Sequence, residues 1–449
     1  MNPLYILYAI LIFGLLIFIH ELGHFIVARL CGVKVLEFAI GMGPKLISWK
    51  GKKHGTRYAL RLFPIGGFVN MLGENGMEAV QGENGINGEE ESGEVQEPTE
   101  LSPELAKQAY CNQNVWKRIL ISIAGPAMNI ILGFLLMLVI VLTQGHVAAG
   151  SNIVAGFHVQ YTAEEAQFGF QPDDYLYLVN GERLLSYSDF ESIVRGANGE
   201  NITVVVQRLN AEKSEYVDTE ISVVLDQKDV EPFLKLFSGS LSENSGLKMK
   251  DRIIKVNSTR VHTYDELSYE IMNQGYKPLK LTVLRDGEKV VLEDVVVPSY
   301  VSEGITFGNV DFIPYREAKF DFVTVLKHTL FRSLSTVKMV YDSLFGLFSG
   351  RYGVEAVSGP VGITKVVGQA AQYGLTTVLN LVVVISINLG VMNLLPIPAL
   401  DGGHIFIYLI EVVRRKPMKR ELEGIINFVG LVLMLALAVL VAIKDIIAL

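Results

Sequence analysis

His20-Glu21-Leu22-Gly23-His24 brings together residue types that do chemistry. On a helix the two histidines, at i and i+4, share one face and can ligate one zinc ion. Glu21 then points to the side and can take a proton from a water that the metal acidifies. The motif lies inside an N-terminal apolar run, where each charged group at mid-bilayer costs roughly 2.5–3.5 kcal/mol, so ionisable residues there are functional by default. The chemistry indicated is metal-assisted peptide hydrolysis within a membrane.

A catalytic zinc on His20 and His24 needs a third protein ligand and an open position for water. Asn393-Leu-Leu-Pro396-Ile-Pro398-Ala-Leu400-Asp401-Gly402-Gly403-His404 offers two candidates, Asp401 and His404, at the inner end of a later apolar segment. Pro396 and Pro398 remove backbone donors and break the helix there. Irregular backbone at membrane depth is tolerated only when buried or lining a cavity. Asn393, a polar side chain in an apolar run, reads either as a holder of substrate backbone or as a helix-to-helix hydrogen-bonding residue.

The elements that must position these residues follow from composition and pattern. The chain has 449 residues, 50% of them hydrophobic, and a mean hydropathy of +0.35, too apolar for an ordinary soluble enzyme. Its net charge is −8 and its basic residues form no long run, so nothing points to nucleic acid. Apolar stretches long enough to span a bilayer occur at 4–28, 119–142, 375–395 and 425–443. The first has neither the basic flank nor the cleavage site of a signal peptide and is expected to be retained. Lysines and arginines after the first stretch, before the second and before the fourth place those segments on the cytoplasmic side. The N-terminus, the region 145–374 and the C-terminus then face outward. Residues 33–72 alternate like strands around Gly41-Met42-Gly43-Pro44 and Pro64-Ile65-Gly66-Gly67-Phe68. They read as a cytoplasmic hairpin, or as a sheet edge beside the metal that takes substrate as an added strand. The stretch 73–107, rich in Gly, Asn and Glu, reads as a mobile acidic loop. Cys31 and Cys111 read as free thiols.

The outward region repeats itself at an offset of about 77 residues. Asp174-Tyr-Leu-Tyr-Leu-Val-Asn180-Gly181-Glu-Arg183 matches Asp251-Arg-Ile-Ile-Lys-Val-Asn257-Ser258-Thr-Arg260, and Gly169-Phe170 matches Gly246-Leu247. Each unit reads as strand, turn, helix and further strands, similar to a tandem of PDZ domains, although Ser258 replaces the turn glycine in the second. From 320 to 347 apolar residues recur at helical spacing among Lys327, His328, Arg332 and Lys338, the pattern of a helix lying on a membrane surface.

His20-Glu21-x-x-His24, Gly41-Met42-Gly43, Pro64-Ile65-Gly66-Gly67-Phe68, Gly125-Pro126-x-x-Asn129, Ser358-Gly359-Pro360 and Asn393-x-x-Pro396-x-Pro398-x-Leu400-Asp401-Gly402-Gly403 together resemble the site-2 protease family, in its bacterial regulator of sigma-E protease group. The resemblance selects Asp401 as third ligand. It implies a zinc intramembrane protease, multi-pass in the inner (cytoplasmic) membrane. Its substrate would be a single-pass membrane protein such as a trimmed anti-sigma factor, with remnant signal peptides as further substrates. Asn393, Gly41, Gly43, Gly66 and Gly67 become candidate substrate-binding residues. The fold expected is a polytopic α-helical membrane protein with four transmembrane helices, a re-entrant β-hairpin and extracytoplasmic tandem PDZ-like α+β domains. Its parts are a first helix (1–30), the β-element (31–72), the acidic loop (73–114) and a second helix (115–143). Two PDZ-like units (150–228 and 229–300), a surface helix (318–350), a third helix with the Asp401 motif (373–404) and a fourth (424–445) complete it. The rival is a non-proteolytic scaffold with a structural metal, for which His404 would be the fourth ligand. A metal-ion transporter is disfavoured by the nearly featureless last helix.

Overall fold

A computed structural model of the chain describes residues 3–52, 54–74, 103–145, 150–172, 174–197, 199–210, 215–302, 305–316, 321–350 and 357–447. Most of the expected acidic loop lies outside them. In chain order the principal elements begin with α1 (Pro3–Leu30), β1 (Val35–Lys50), β2 (Arg57–Met71) and α2 (Val115–Gln144). They continue with β3 (Gly150–Phe157), β4 (Val159–Tyr161), β5 (Tyr175–Val179), β6 (Glu182–Arg183), α3 (Tyr187–Gly196), β7 (Asn201–Asn210), β8 (Glu215–Val224) and β9 (Phe237–Ser238). Next come β10 (Arg252–Val256), β11 (Thr259–Arg260), α4 (Tyr264–Gln274), β12 (Leu279–Arg285), β13 (Glu288–Val295), β14 (Ser299–Ser302), β15 (Ile305–Gly308) and β16 (Phe312–Arg316). Helices α5 (Phe322–Phe348), α6 (Pro360–Gln372), α7 (Leu375–Asn393), α8 (Asp401–Arg414) and α9 (Arg420–Ile447) close the chain. Two compact units result, one of 1–140 with 336–449 and one of 141–335.

In the first unit α1, α2, α7 and α9 are long and apolar enough to cross a membrane. Small residues let three of them approach closely, as helices without a hydrophobic driving force require. A Cβ on Gly23 would lie 2.3 Å from the Ala124 carbonyl oxygen, and one on Gly390 would lie 2.8 Å from that of Pro126. Ser386 of α7 donates to the Asn129 carbonyl of α2 at 2.7 Å. The third apolar segment ends as a helix at Asn393 and Asp401 opens a separate helix, so the segment 373–404 comprises α7, a break at the prolines and the start of α8. Helix α6 was not anticipated. Cys31 and Cys111 are both free.

The β-element is more folded than a hairpin. Residues 37–40 pair with 67–70 on one side and 57–60 on the other, while 45–50 pair with 57–61. Each strand bends upon itself, giving four segments in the order 45–50, 57–61, 35–40, 66–71; the two outer pairs run antiparallel, and in the central pair 37–40 and 57–60 rise together. Gly41, Gly43 and Gly66, with φ of 85°, 84° and 86°, supply the left-handed backbone that such bends need. Segments 35–40 and 66–71 bury Val35, Phe38, Val69 and Met71 with Ile119 and Ile121 of α2, whereas Met42, Leu46, Ile47 and Trp49 are exposed.

The second unit holds two six-stranded sheets, β8-β7-β5-β4-β9 and β13-β12-β10-β3-β16, each with a short strand beside its middle member, and the two-stranded sheet β14-β15. The repeat seen in the sequence is carried down to hydrogen bonds. Asp174, fully buried, is gripped by Arg208 through Nε–Oδ1 at 2.8 Å and Nη2–Oδ2 at 2.7 Å, and Arg208 also donates to the Gly169 carbonyl. Asp251 and Arg285 repeat this at 2.8 and 2.6 Å, with Gly246 in place of Gly169. Asn180 and Asn257 each accept, through Oδ1, the backbone N–H of the neighbouring strand at 3.0 Å. The boundary between the units differs from expectation: β3, placed by sequence in the first, pairs with β10 and β16 in the second sheet. Its partners lie about a hundred residues or more downstream, and pairing at that range leaves no local trace in the sequence.

Removing one partner of a buried, bidentate ion pair leaves an uncompensated charge, which costs roughly 3–5 kcal/mol. Arg285→Ala in the full chain is therefore expected to lower the hydrogen-exchange protection of β10 and β12 strongly while leaving β5 and β7 nearly unchanged.

Candidate metal centre

Helical spacing puts His20 and His24 on one face of α1, and Gly23 and Gly125 let that face meet α2. A Cβ on Gly125 would lie 2.2 Å from His24 Nε2, so only glycine leaves room for the ring. His24 Nδ1 donates to the Ile121 carbonyl at 2.8 Å, which leaves Nε2 as its free lone pair. Asp401 arrives as the first residue of α8, where a carboxylate is favoured by the helix dipole. The preceding Ala399 has φ 70°, a left-handed conformation costing an alanine roughly 1–2 kcal/mol. The carbonyls released by the proline break lie over the two glycines: a Cβ on Gly402 would be 2.1 Å from the Leu395 oxygen and one on Gly403 2.4 Å from that of Ile397.

His20 Nε2 lies 3.2 Å from His24 Nε2 and 3.1 Å from Asp401 Oδ2, and His24 Nε2 lies 3.5 Å from Asp401 Oδ1. With ligand bonds of 2.0–2.1 Å, the edge of a tetrahedron around zinc is about 3.3–3.4 Å. One donor atom from each of the three residues can thus take a corner of such a tetrahedron, leaving a fourth corner for water. They are the sole group of this kind among the described residues. His404 is not part of it. Its Nδ1 is 3.4 Å from Glu423 and its Nε2 is 3.5 Å from the Asn427 amide.

Asn129 was known from its motif, but its role could not be read from sequence. It is completely buried, its amide lies 3.2 Å from His20 Nδ1, and its Oδ1 has no partner among the described residues. A metal on Nε2 leaves the proton on Nδ1, which then donates. Turning the amide over, which exchanges its O and N, brings Oδ1 to that donor. The donor set, its spacing and this spare acceptor all fit zinc.

Glu21 is half-buried beside the edge segment of the sheet. A Cβ on Gly67 would lie 3.1 Å from Glu21 Cγ, and the Val69 N–H faces its carboxylate. Segment 66–71 pairs on one side only among the described residues. Asn393, the last residue of α7, is half-buried and makes no side-chain hydrogen bond among them.

Helices apolar enough to cross a membrane, around three side chains that could hold one metal ion, are the elements of a membrane-embedded metallohydrolase. The chain belongs to peptidase family M50, which it matches over residues 8–437, and it is a metalloprotease of the site-2 type. A Clostridium acetobutylicum relative is 30% identical, covering 98% of this chain and 97% of its own. The zinc metalloprotease RasP of Bacillus licheniformis is 29% identical, covering 97% of both. That of Geobacillus kaustophilus is 27% identical, covering 97% and 96%.

Outer partners of metal-bound histidines are worth about 10–100-fold in metal affinity. Asn129→Ala is expected to weaken zinc binding by about that factor in competition with a chelator, and Gly125→Ala, which displaces the His24 ring itself, to weaken it at least as much.

Proposed function

We propose that the chain is a zinc-dependent intramembrane endopeptidase in which His20, His24 and Asp401 hold the metal and Glu21 moves the proton. The single observation that carries this reading is the triangle of ligand atoms set beside a carboxylate and an unpaired strand edge. When bound, zinc supplies Lewis acidity that polarises a peptide carbonyl and lowers the pKa of water. Glu21 accepts a proton during attack and returns it to the leaving amine.

A substrate in a membrane helix keeps its carbonyls hydrogen-bonded and its peptide bonds shielded, so it must unwind before it reacts. Segment 66–71 provides replacement partners by accepting the unwound chain as a further strand. Gly41, Gly43 and Gly66 shape the sheet, Gly67 brings its edge against Glu21, and the unspent amide of Asn393 holds substrate backbone from the other side. The substrate class is a single-pass membrane protein, of which a trimmed anti-sigma factor is the type and remnant signal peptides a further source. The protein would reside in the cytoplasmic membrane, with its site toward the cytoplasm and its two PDZ-like sheets outside, screening what enters. The scaffold reading needs a closed site, and its obvious fourth ligand, His404, is engaged with Glu423 and Asn427.

The test is cleavage of tagged single-pass helices by purified protein. Glu21→Gln is expected to retain stoichiometric zinc and to lose about 10²–10⁴-fold in rate. Cleavage by that variant at the normal rate would remove Glu21 from the reaction, and zinc binding without cleavage of any helix would favour the scaffold. A methyl on Gly67 would press on the Ala39 carbonyl at 3.0 Å and on Glu21. Gly67→Ala is therefore expected to slow cleavage with zinc content unchanged.

A further inference from the structure

We propose that the outer face of the second sheet is a binding site for the phosphate of an anionic phospholipid headgroup. Ile153, Arg252, Leu284 and Lys289 are paired in register across β3, β10, β12 and β13, so their side chains share one face. The other face buries Ile253 and Val283 in the core. On the outer face lies a cavity of about 410 Å³ whose walls carry Arg252, Lys255, Arg260, Lys289 and, from α5, Lys327. No carboxylate lines it. Asp265 is paired with Arg332 at 3.2 Å, and Glu266 with His262 of the cavity wall at 3.1 Å. Among the described residues Arg252, Lys255, Arg260 and Lys289 form no ion pair. Cations gathered without counter-charge repel one another, and a bound phosphate oxyanion offsets that repulsion while accepting charge-assisted hydrogen bonds.

Helix α5 says where the phosphate comes from. Phe331 stacks on His262 with ring centroids 4.2 Å apart and planes at 15°, which fixes the helix as one wall of the cavity. About 100° round the same helix from Lys327 and Phe331 runs an apolar stripe of Phe322, Leu326, Leu330 and Leu334, all exposed, with Phe322 at 79%. A helix with such a stripe beside basic groups lies in the headgroup layer of a bilayer. The cavity wall is then at the depth of lipid phosphates. The proposal rests on the chain being a membrane protein with α5 on the membrane surface, and not on its catalytic reading.

The experiment uses delipidated full-length protein in neutral detergent, titrated by native mass spectrometry with short-chain phosphatidylglycerol, short-chain phosphatidylcholine and inorganic phosphate. Compared with it are the double variant Arg252→Gln/Lys289→Gln and a control of equal charge, Lys228→Gln/Lys235→Gln, altered at exposed sites away from the cavity. The expected result is phosphatidylglycerol bound more tightly than either other probe and weakened about tenfold or more in the cavity variant alone. Unaltered binding by the cavity variant, equal weakening in the control, or no preference over phosphatidylcholine would overturn the site. Inorganic phosphate binding as tightly as phosphatidylglycerol would overturn the lipid assignment. An unchanged thermal midpoint and zinc content in the cavity variant show that it is folded. Because the readout needs no cleavage, failure here leaves the protease reading standing, and failure of that reading leaves this one.

Discussion

Two imidazoles and a carboxylate brought to within 3.1–3.5 Å of one another among apolar helices set the terms for the rest of the first unit. Each is costly to bury, and their convergence is reached only by bringing α1, α2 and the start of α8 unusually close. The glycines of the chemical motifs serve that approach. Gly23 admits the backbone of α2, Gly125 admits an imidazole, and Gly402 and Gly403 admit the carbonyls that the proline break frees. Two residues before Asp401 the chain carries a left-handed alanine, a strain that persists only where the surrounding structure over-determines it.

The sheet answers to the same constraint. A free strand edge in an ordinary protein is a liability for aggregation, and natural sheets usually blunt it with charge or cover it. Here the edge segment 66–71 instead presents Gly67 and Val69 to a catalytic-type carboxylate. Bending each strand at glycine shields the inner segments, which pair on both sides, and leaves this one unpaired at the place where an extended chain is wanted.

The candidate site residues were legible because charge inside an apolar run stands out: His20, Glu21, His24 and Asp401 could be named from sequence, and the structure gathers the three ligand candidates. What surrounds them was not. Nothing local says that Asn129 faces His20, or that Gly125 is a seat for His24, because both facts belong to the crossing of two helices. The folding of β1 and β2 into four segments was hidden for the same reason. The 77-residue repeat was visible in its turns, yet the Asp174–Arg208 and Asp251–Arg285 clamps went unread, although the same 34-residue separation is present in both copies. Short strands such as the two-residue β9 carry no pattern at all, and the partner of β3 is too distant to infer.

The placement of β3 has a consequence for how the chain is made. The whole of the first sheet, β4 to β9, is threaded between β3 and the strand β3 pairs with. The second module is therefore a host and the first its insert, so synthesis delivers one inner strand of the host, completes the guest, and only then supplies the strands that close the host around its own beginning. At ribosomal speeds β3 waits on the order of ten seconds for β10. A short pleated strand, already held at one end by a membrane helix, is the kind of segment that can wait without wandering far.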